Sequence, residues 1–184
     1  VEIVVAHHGD GYIDYPTGGN SFYYSRARMT ASGNLWLDGG TVAVRGTAWF
    51  DHQWGDLRVV AQTGWDWFGI QLDDRREIMI FSVSADGGHV MAGASLIEAD
   101  CSVREIPADR VSITPTGTWN ARPGCTYPSG WEVSVDGVSL AVTPTVRAQE
   151  VRGSPAPTYW EGSATVSGGA TGRAYVELVG YCRD

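Results

Sequence analysis

The stretch Gly46-Thr47-Ala48-Trp49-Phe50-Asp51-His52-Gln53-Trp54-Gly55, followed after a polar turn by Gly64-Trp65-Asp66-Trp67-Phe68-Gly69-Ile70-Gln71-Leu72, decides how the rest of the chain is read. Both segments are too aromatic for helix and too closely bounded by glycine, so each reads as a strand. Successive side chains on a strand point to opposite faces. Phe50, His52 and Trp54 therefore share one face, and Trp49, Asp51 and Gln53 the other. In the second segment Trp65, Trp67 and Gln71 oppose Asp66, Phe68, Ile70 and Leu72. No face is cleanly apolar. Rings mixed with carboxylates, amides and an imidazole describe the wall of a cavity, apolar with a few placed polar groups.

Outward from this pair, the chain alternates strand-like runs with Gly and Asp turns. Before it stand Glu2 to Ala6, a His7-His8-Gly9-Asp10-Gly11 turn, Tyr12 to Tyr15, a Gly18-Gly19-Asn20 turn, Phe22 to Ala31 and a short Leu35-Trp36-Leu37. Asp38-Gly39-Gly40 then leads into Val42 to Trp54. After it, Asp73 to Arg76 turns the chain into Glu77 to Val83, and Ala85-Asp86-Gly87-Gly88 into Val90 to Ile97. Weaker strands are expected at Val111 to Thr114, Trp131 to Val135, Val138 to Pro144, Tyr159 to Val166 and Gly172 to Gly180. Thr116 to Tyr127 and Gly153 to Pro157 read as the least ordered stretches. Turn signals about every 8–12 residues predict an all-β barrel or sandwich with little helix.

Composition excludes several classes. A net charge of −8 argues against nucleic acid, whose binding needs clustered positive charge. All 13 basic residues are Arg, for which folding gives no reason. No apolar run is long enough for a transmembrane helix, and the amino terminus has no signal-peptide pattern, so a cytoplasmic location is expected. Cys101, Cys125 and Cys182 make no metal-binding spacing, so no metal site is expected. A Cys101–Cys125 bridge is conceivable, but free buried thiols are the plainer expectation. No nucleophile elbow, phosphate-binding glycine loop or HExxH is present, and no cofactor is expected.

An internal echo links the two ends. Gly46-Thr47-Ala48-Trp49-Phe50-Asp51 matches Gly172-Arg173-Ala174-Tyr175-Val176-Glu177 as Gly-x-Ala-aromatic-x-acid. Upstream, Tyr23-Tyr24 and Thr30-Ala31-Ser32-Gly33 answer Tyr159-Trp160 and Thr165-Val166-Ser167-Gly168. Two similar hairpins are expected, each closing a barrel, with the front one either joining a single barrel or ending a first one.

The run Asp51 to Gly55, Gly64 to Phe68 with Gln71-Leu72, Tyr159-Trp160-Glu161-Gly162 and Tyr175 to Tyr181 resembles the hydroxyneurosporene synthase (carotenoid 1,2-hydratase) family of lipocalin-like proteins. The resemblance covers about Tyr23 to Tyr181. It implies a lipocalin-like antiparallel β-barrel and cofactor-free chemistry on large unsaturated molecules, the relatives including decalin-forming Diels–Alderases. Full-length members carry a further lipocalin-like half. Residues 1–54 are therefore expected to resemble the end of that half and 55–184 to form the barrel, unless 1–184 is one continuous domain. A second lipocalin-like half, or a second copy of the chain, is the expected protein partner.

His52, Asp51 and Asp66 are the candidate catalytic groups. His titrates near neutral pH, although a cavity-lining or loop-tying role is the plainer reading of His52. Asp66 between two Trp fits a carboxyl with raised pKa, and equally an Asp bonded to turn amides. Asp51 and His52 are adjacent, hence on opposite faces, and form no dyad. Trp54, Trp65, Trp67, Gln53, Gln71, Tyr24, Tyr159, Trp160 and Tyr175 are the candidate substrate-binding residues, the rings being core by default. Glu161 and Glu177 read as anchors or as substrate contacts, and His7, His8 and His89 as surface. The leading expectation is a cofactor-free cyclase that folds a polyene or polyketide natural-product intermediate in the barrel for [4+2]-type closure. Hydration of an isoprenoid C=C bond with Asp66 or Asp51 as acid comes next, and a non-catalytic binder of apolar ligands third.

Overall fold

The computed structural model describes residues 4–6, 11–15, 18–56, 64–85, 88–152 and 158–182. The His7-His8 turn, the Asp86-Gly87 turn and the Gly153 to Pro157 stretch lie outside the described residues. Sixteen strands account for most of the described chain, and one 3₁₀ turn at Ala108–Arg110 is the helical element among the described residues. Extended β-branched and aromatic runs cut by Asp and Gly give this outcome. Asp136-Gly137, both at positive φ, forms the tight turn that matches strand twist.

Two large sheets and one two-stranded hairpin hold the described strands. The front sheet comprises β1 (Val4–Ala6), β2 (Tyr12–Asp14), β3 (Asn20–Leu37) and β4 (Gly40–Gly55). β1 and β2 share one edge of β3 and β4 pairs along the other. The expected Phe22–Ala31 and Leu35–Leu37 segments are one strand, because the β3–β4 ladder runs unbroken to Leu37↔Gly40 apart from a bulge between Arg26 and Met29.

The second sheet is a nearly closed antiparallel barrel, a lipocalin-like fold. Its strands are β5 (Gly64–Leu72), β6 (Glu77–Ala85), β7 (Gly88–Ile97), β8 (Val103–Ile106), β9 (Val111–Pro115), β12 (Trp131–Val135), β13 (Val138–Pro144), β14 (Glu150–Val151), β15 (Tyr159–Gly168) and β16 (Gly172–Val179). They run in the order β8-β7-β6-β5-β16-β15-β13-β12-β9, with β14 on β15. Asp136 draws the two ends together by ion pairs to Arg104 on β8, at 2.6 Å, and to Arg110 in the turn before β9. The front and back hairpins of the echo, β3–β4 and β15–β16, thus belong to different sheets.

Alternation gives every barrel strand an inner and an outer side chain row. The inner row is a packed core: Phe68, Ile70, Leu72, Ile80, Val133, Leu140 and Leu178 are buried around Trp131 and Trp160, each 1% exposed. Phe68 meets Trp131 edge-on at 5.4 Å, and the Trp160 indole N–H donates to Arg147 O at 2.7 Å. The barrel interior is therefore filled, which corrects the expectation of a substrate pocket inside it.

Thr116 to Tyr127, expected to be poorly ordered, contains the hairpin β10 (Thr118–Arg122) and β11 (Cys125–Pro128). Its Cys125 and Tyr127 join the barrel core. The thiol expectation is likewise corrected: Cys125 bonds Cys182, and Cys101 is free. Barrel closure brings the end of the chain against β11, a neighbourhood that spacing along the sequence does not show. The bridge spans 57 residues. Cys182→Ser should lower stability by about 2–4 kcal/mol, since the unfolded chain regains the entropy of that loop. Urea midpoints should match between the variant and reduced wild type; an unchanged midpoint would count against the bridge.

Candidate functional site

The outer row of β5, β6, β7 and β16 is unusually apolar for a barrel surface, carrying Trp65, Trp67, Met79, Phe81, Val83 and Met91 beside Glu177. The front sheet covers it, turning Tyr23 of β3 and Asp51 and Gln53 of β4 towards it, with Ile13 and Tyr15 at its edge. The two layers enclose a cavity of about 310 Å³. A second recess of about 580 Å³ adjoins it and is more polar, with Thr47, Gln71, Glu161, Ser163, Arg173 and Tyr175 in its wall. Asp51, Trp67 and Glu177 line both spaces, so the two meet at this carboxyl pair.

Hydrogen bonds fix the pair's surroundings. Ser25 Oγ donates to Asp51 Oδ1, and the Trp49 indole N–H donates to the same oxygen at 2.7 Å. With the Ser25 proton so used, Tyr23 donates to Ser25 at 2.7 Å, and Trp67 donates to the Tyr23 oxygen at 3.1 Å. Gln53 donates to Tyr15 at 2.7 Å and to Ser21 at 2.9 Å. Gln71 bridges the layers, accepting from Thr47 and donating to Ala27 O, both at 2.7 Å. The Trp67 ring lies across Gly69, where a Cβ would come 2.5 Å from the ring edge. Only glycine leaves it that position.

Burial sets the electrostatics. Asp51 is exposed as a residue, but the protein packed around its carboxyl group costs it solvation, which pushes its pKa up against the donors from Ser25 and Trp49. Glu177 is pushed up by burial too, with the neighbouring charges of Glu161 and Asp51 adding to the rise and the Trp65 indole donor opposing it. Tyr23 is held neutral well above the usual phenol range by burial and by Asp51. The site thus presents two carboxyls that bind protons more tightly than usual, on the wall of an apolar cavity.

Of the residues expected from sequence, Asp51, Gln53, Trp65 and Trp67 meet at the cavity, and Gln71 and Tyr175 line the adjoining recess. His52 does not join them. Alternation puts it on the outer face of β4, its ring 4.9 Å from Trp54 and 5.7 Å from Tyr24, so an acid–base role in this cavity is not open to it. Trp54 and Tyr24 share that outer face, Trp54 being 44% exposed. Asp66 points to the barrel side of β5, where Tyr181 donates to it at 2.8 Å and its charge helps hold the Tyr181 phenol neutral. Trp160 is a core residue, and Tyr159 stands near Glu161 on the outer side of β15. Tyr23 was not among the expected site residues, and Glu177 was expected only as an anchor or a substrate contact, not as a catalytic group. The echo was the signal for both, since it equates Glu177 with Asp51 and Tyr159 with Tyr23.

The family model described as AttH-like matches residues 2–181. A crystal structure at 2.00 Å assigned as AttH from Nitrosomonas europaea is 31% identical, with a TM-score of 0.88, over 98% of this chain and 58% of that one. The crystal structure of kievitone hydratase from Nectria haematococca is 24% identical, with a TM-score of 0.79, over 96% of this chain and 57% of that one, and shows a shared fold. No curated protein matches the sequence.

Proposed function

The chain belongs to the AttH-like family, and from that membership we propose that it is an acid–base enzyme adding water to a C=C bond of an apolar, isoprenoid-type substrate. The observation that carries the reading is the Asp51–Glu177 carboxyl pair, both pKa values raised, on the wall of an apolar cavity between the sheets. Hydration of an isolated double bond needs an acid strong enough to protonate carbon and still protonated at working pH, which is what a desolvated carboxyl supplies. Protonating a trisubstituted alkene gives a tertiary cation. The rings of Trp65, Trp67 and Phe81, which line the cavity, would supply cation–π stabilisation for that charge. The other carboxyl, ionised, takes a proton from water as its oxygen bonds to the cation.

The likeness of the motifs to hydroxyneurosporene synthase supports the same reading, as does a fold shared with a protein that bears a hydratase's name. The cyclisation expected first from sequence has less support, because it calls for no titrating group and this cavity holds two. Incubating the protein in heavy-oxygen water with geraniol, 6-methylhept-5-en-2-one and a prenylated phenol tests the proposal. Label at carbon in a tertiary alcohol is the expected result. An unlabelled cyclic isomer would replace hydration by cyclisation, and ligand recovered unchanged from a bound state would make the protein a carrier.

A further inference from the structure

The proposed reaction needs one carboxyl to give a proton and one to take it, and the two hairpins supply them from matching positions. In the front hairpin Tyr23 lies opposite Gln53 and Ser25 opposite Asp51. In the back hairpin Tyr159 lies opposite Val179 and Glu161 opposite Glu177. The registers agree residue for residue, and the echoed Gly46 and Gly172 face Ala31 and Val166 in the same relation. The bulge in β3 accounts for the one extra residue between Tyr23 and Ala31. Asp51 and Glu177 are therefore equivalents, yet their partners differ. Asp51 stands across from Ser25, which donates to it, and Trp49 donates to the same oxygen. Glu177 has one indole donor, Trp65, and stands across from Glu161, which repels a second negative charge.

We infer that the equivalence is broken to divide the labour: Glu177, facing a like charge, is the acid that protonates carbon, and Asp51, its anion held by Ser25 and Trp49, is the base that takes the proton from water. This division rests on the hydratase reading. Burial raises both carboxyls, but the donors to Asp51 and the like charge facing Glu177 push their proton affinities apart, which is the usual source of an acid and base pair. The steps balance. The Glu177 O–H bond breaks as a C–H bond forms at the less substituted alkene carbon, leaving the cation. A water oxygen then bonds to the cationic carbon while one of its protons passes to Asp51. Exchange with solvent moves that proton from Asp51 back to Glu177, and the net change is alkene plus water to alcohol. The polar recess, which meets the apolar cavity at these two residues, is the route for water.

The test runs wild type, Glu177→Gln and Asp51→Asn with geraniol and 6-methylhept-5-en-2-one in deuterium oxide, following deuterium at the alkene carbons and alcohol formation separately. Quenching of Trp fluorescence confirms that each variant still binds. Asp51→Asn should keep deuterium exchange, because the cation forms and returns its proton to Glu177, while hydration falls by about 10²–10⁴-fold. Glu177→Gln should lose both. The reverse pattern, with exchange surviving in Glu177→Gln and lost in Asp51→Asn, overturns the division of roles. Equal loss of both signals in both variants overturns it too. Wild type that binds these alkenes and makes neither deuterated alkene nor alcohol overturns the hydratase reading itself, an outcome distinct from all the others.

Discussion

The Asp51→Asn/Glu177→Gln double variant should be inactive and, above about pH 6, should gain thermal stability relative to wild type. Activity disappears because neither amide can give an acidic proton to carbon or accept one from water. The stability change follows from linkage. Both carboxyls have folded-state pKa values above their unfolded ones, burial being the first cause in each case. Between the unfolded and folded values the native state holds more protons than the unfolded state, so stability falls as pH rises through that window. Below about pH 4 the groups are protonated in both states and the cost is absent. Above the folded values it is complete. Neutral amides do not titrate, so the difference in Tm between variant and wild type should widen from pH 4 upward. Asp74 and Asp100, held below their ordinary values by Arg76 and Ser102, act in the opposite direction but are common to both proteins. A Tm difference that stays constant from pH 4 to pH 9 would show that these carboxyls are not desolvated. In the same range the wild-type hydration rate should fall on the alkaline side, as the pair loses the proton it needs.

The strands were legible because their cause is local. Trp131 to Val135 and Val138 to Pro144 appear at the expected bounds, where alternation and an Asp136-Gly137 turn leave no other choice. Four short strands were not legible: β8 and β14 exist because the longer β7 and β15 hold them, and β10 and β11 because they pair with each other against the barrel core. The same limit explains the cysteines, since Cys125 meets Cys182 only once the barrel has closed.

The site was half legible for a related reason. Alternation correctly divides β4 and β5 into faces, but it does not say which face meets a core and which a cavity. The β5 strand is covered on both sides, by the barrel interior on Phe68, Ile70 and Leu72 and by the front sheet on Trp65 and Trp67. Asp66 and Asp51 both sit among rings in the sequence, and only the sheet-on-sheet arrangement turns Asp51 to the cavity and Asp66 to Tyr181. Chemistry alone favoured His52, which topology carries to the opposite face. The echo carried the three-dimensional information, because register copied between two hairpins puts equivalent residues in equivalent places. By that equivalence Glu177 stands where Asp51 does.

Arg28→Ala should destabilise the protein by about 3–5 kcal/mol, a cost typical of leaving one member of a buried ion pair alone. Arg28 reaches from β3 of the front sheet to Glu77 on β6 of the barrel, where its guanidinium Nε–H donates to Glu77 Oε1. The Glu77 side chain is wholly buried, and its second oxygen has no hydrogen-bond partner among the described residues. Without Arg28 the buried carboxylate would lose the cation that pairs with it. Leu72 O also loses the Arg28 donor at 3.1 Å, but it keeps the Arg75 N–H at 3.1 Å, so the carboxylate dominates the cost. The double variant Arg28→Met/Glu77→Leu removes both charges and fills their space. It should recover most of the loss, giving a favourable coupling of several kcal/mol in a double-mutant cycle. Urea unfolding of the four proteins measures this; independent, additive losses would mean the pair does not join the sheets. The functional consequence separates the single variant from an ordinary core defect. Gln71 and its bonds to Thr47 and Ala27 O would be left holding this end of the front sheet, and the wall that carries Asp51 would lose its fixed distance from Glu177. Arg28→Ala should therefore lower kcat as well as stability at temperatures where it is still fully folded. The double variant, with the layers again in register, should return to near the wild-type rate.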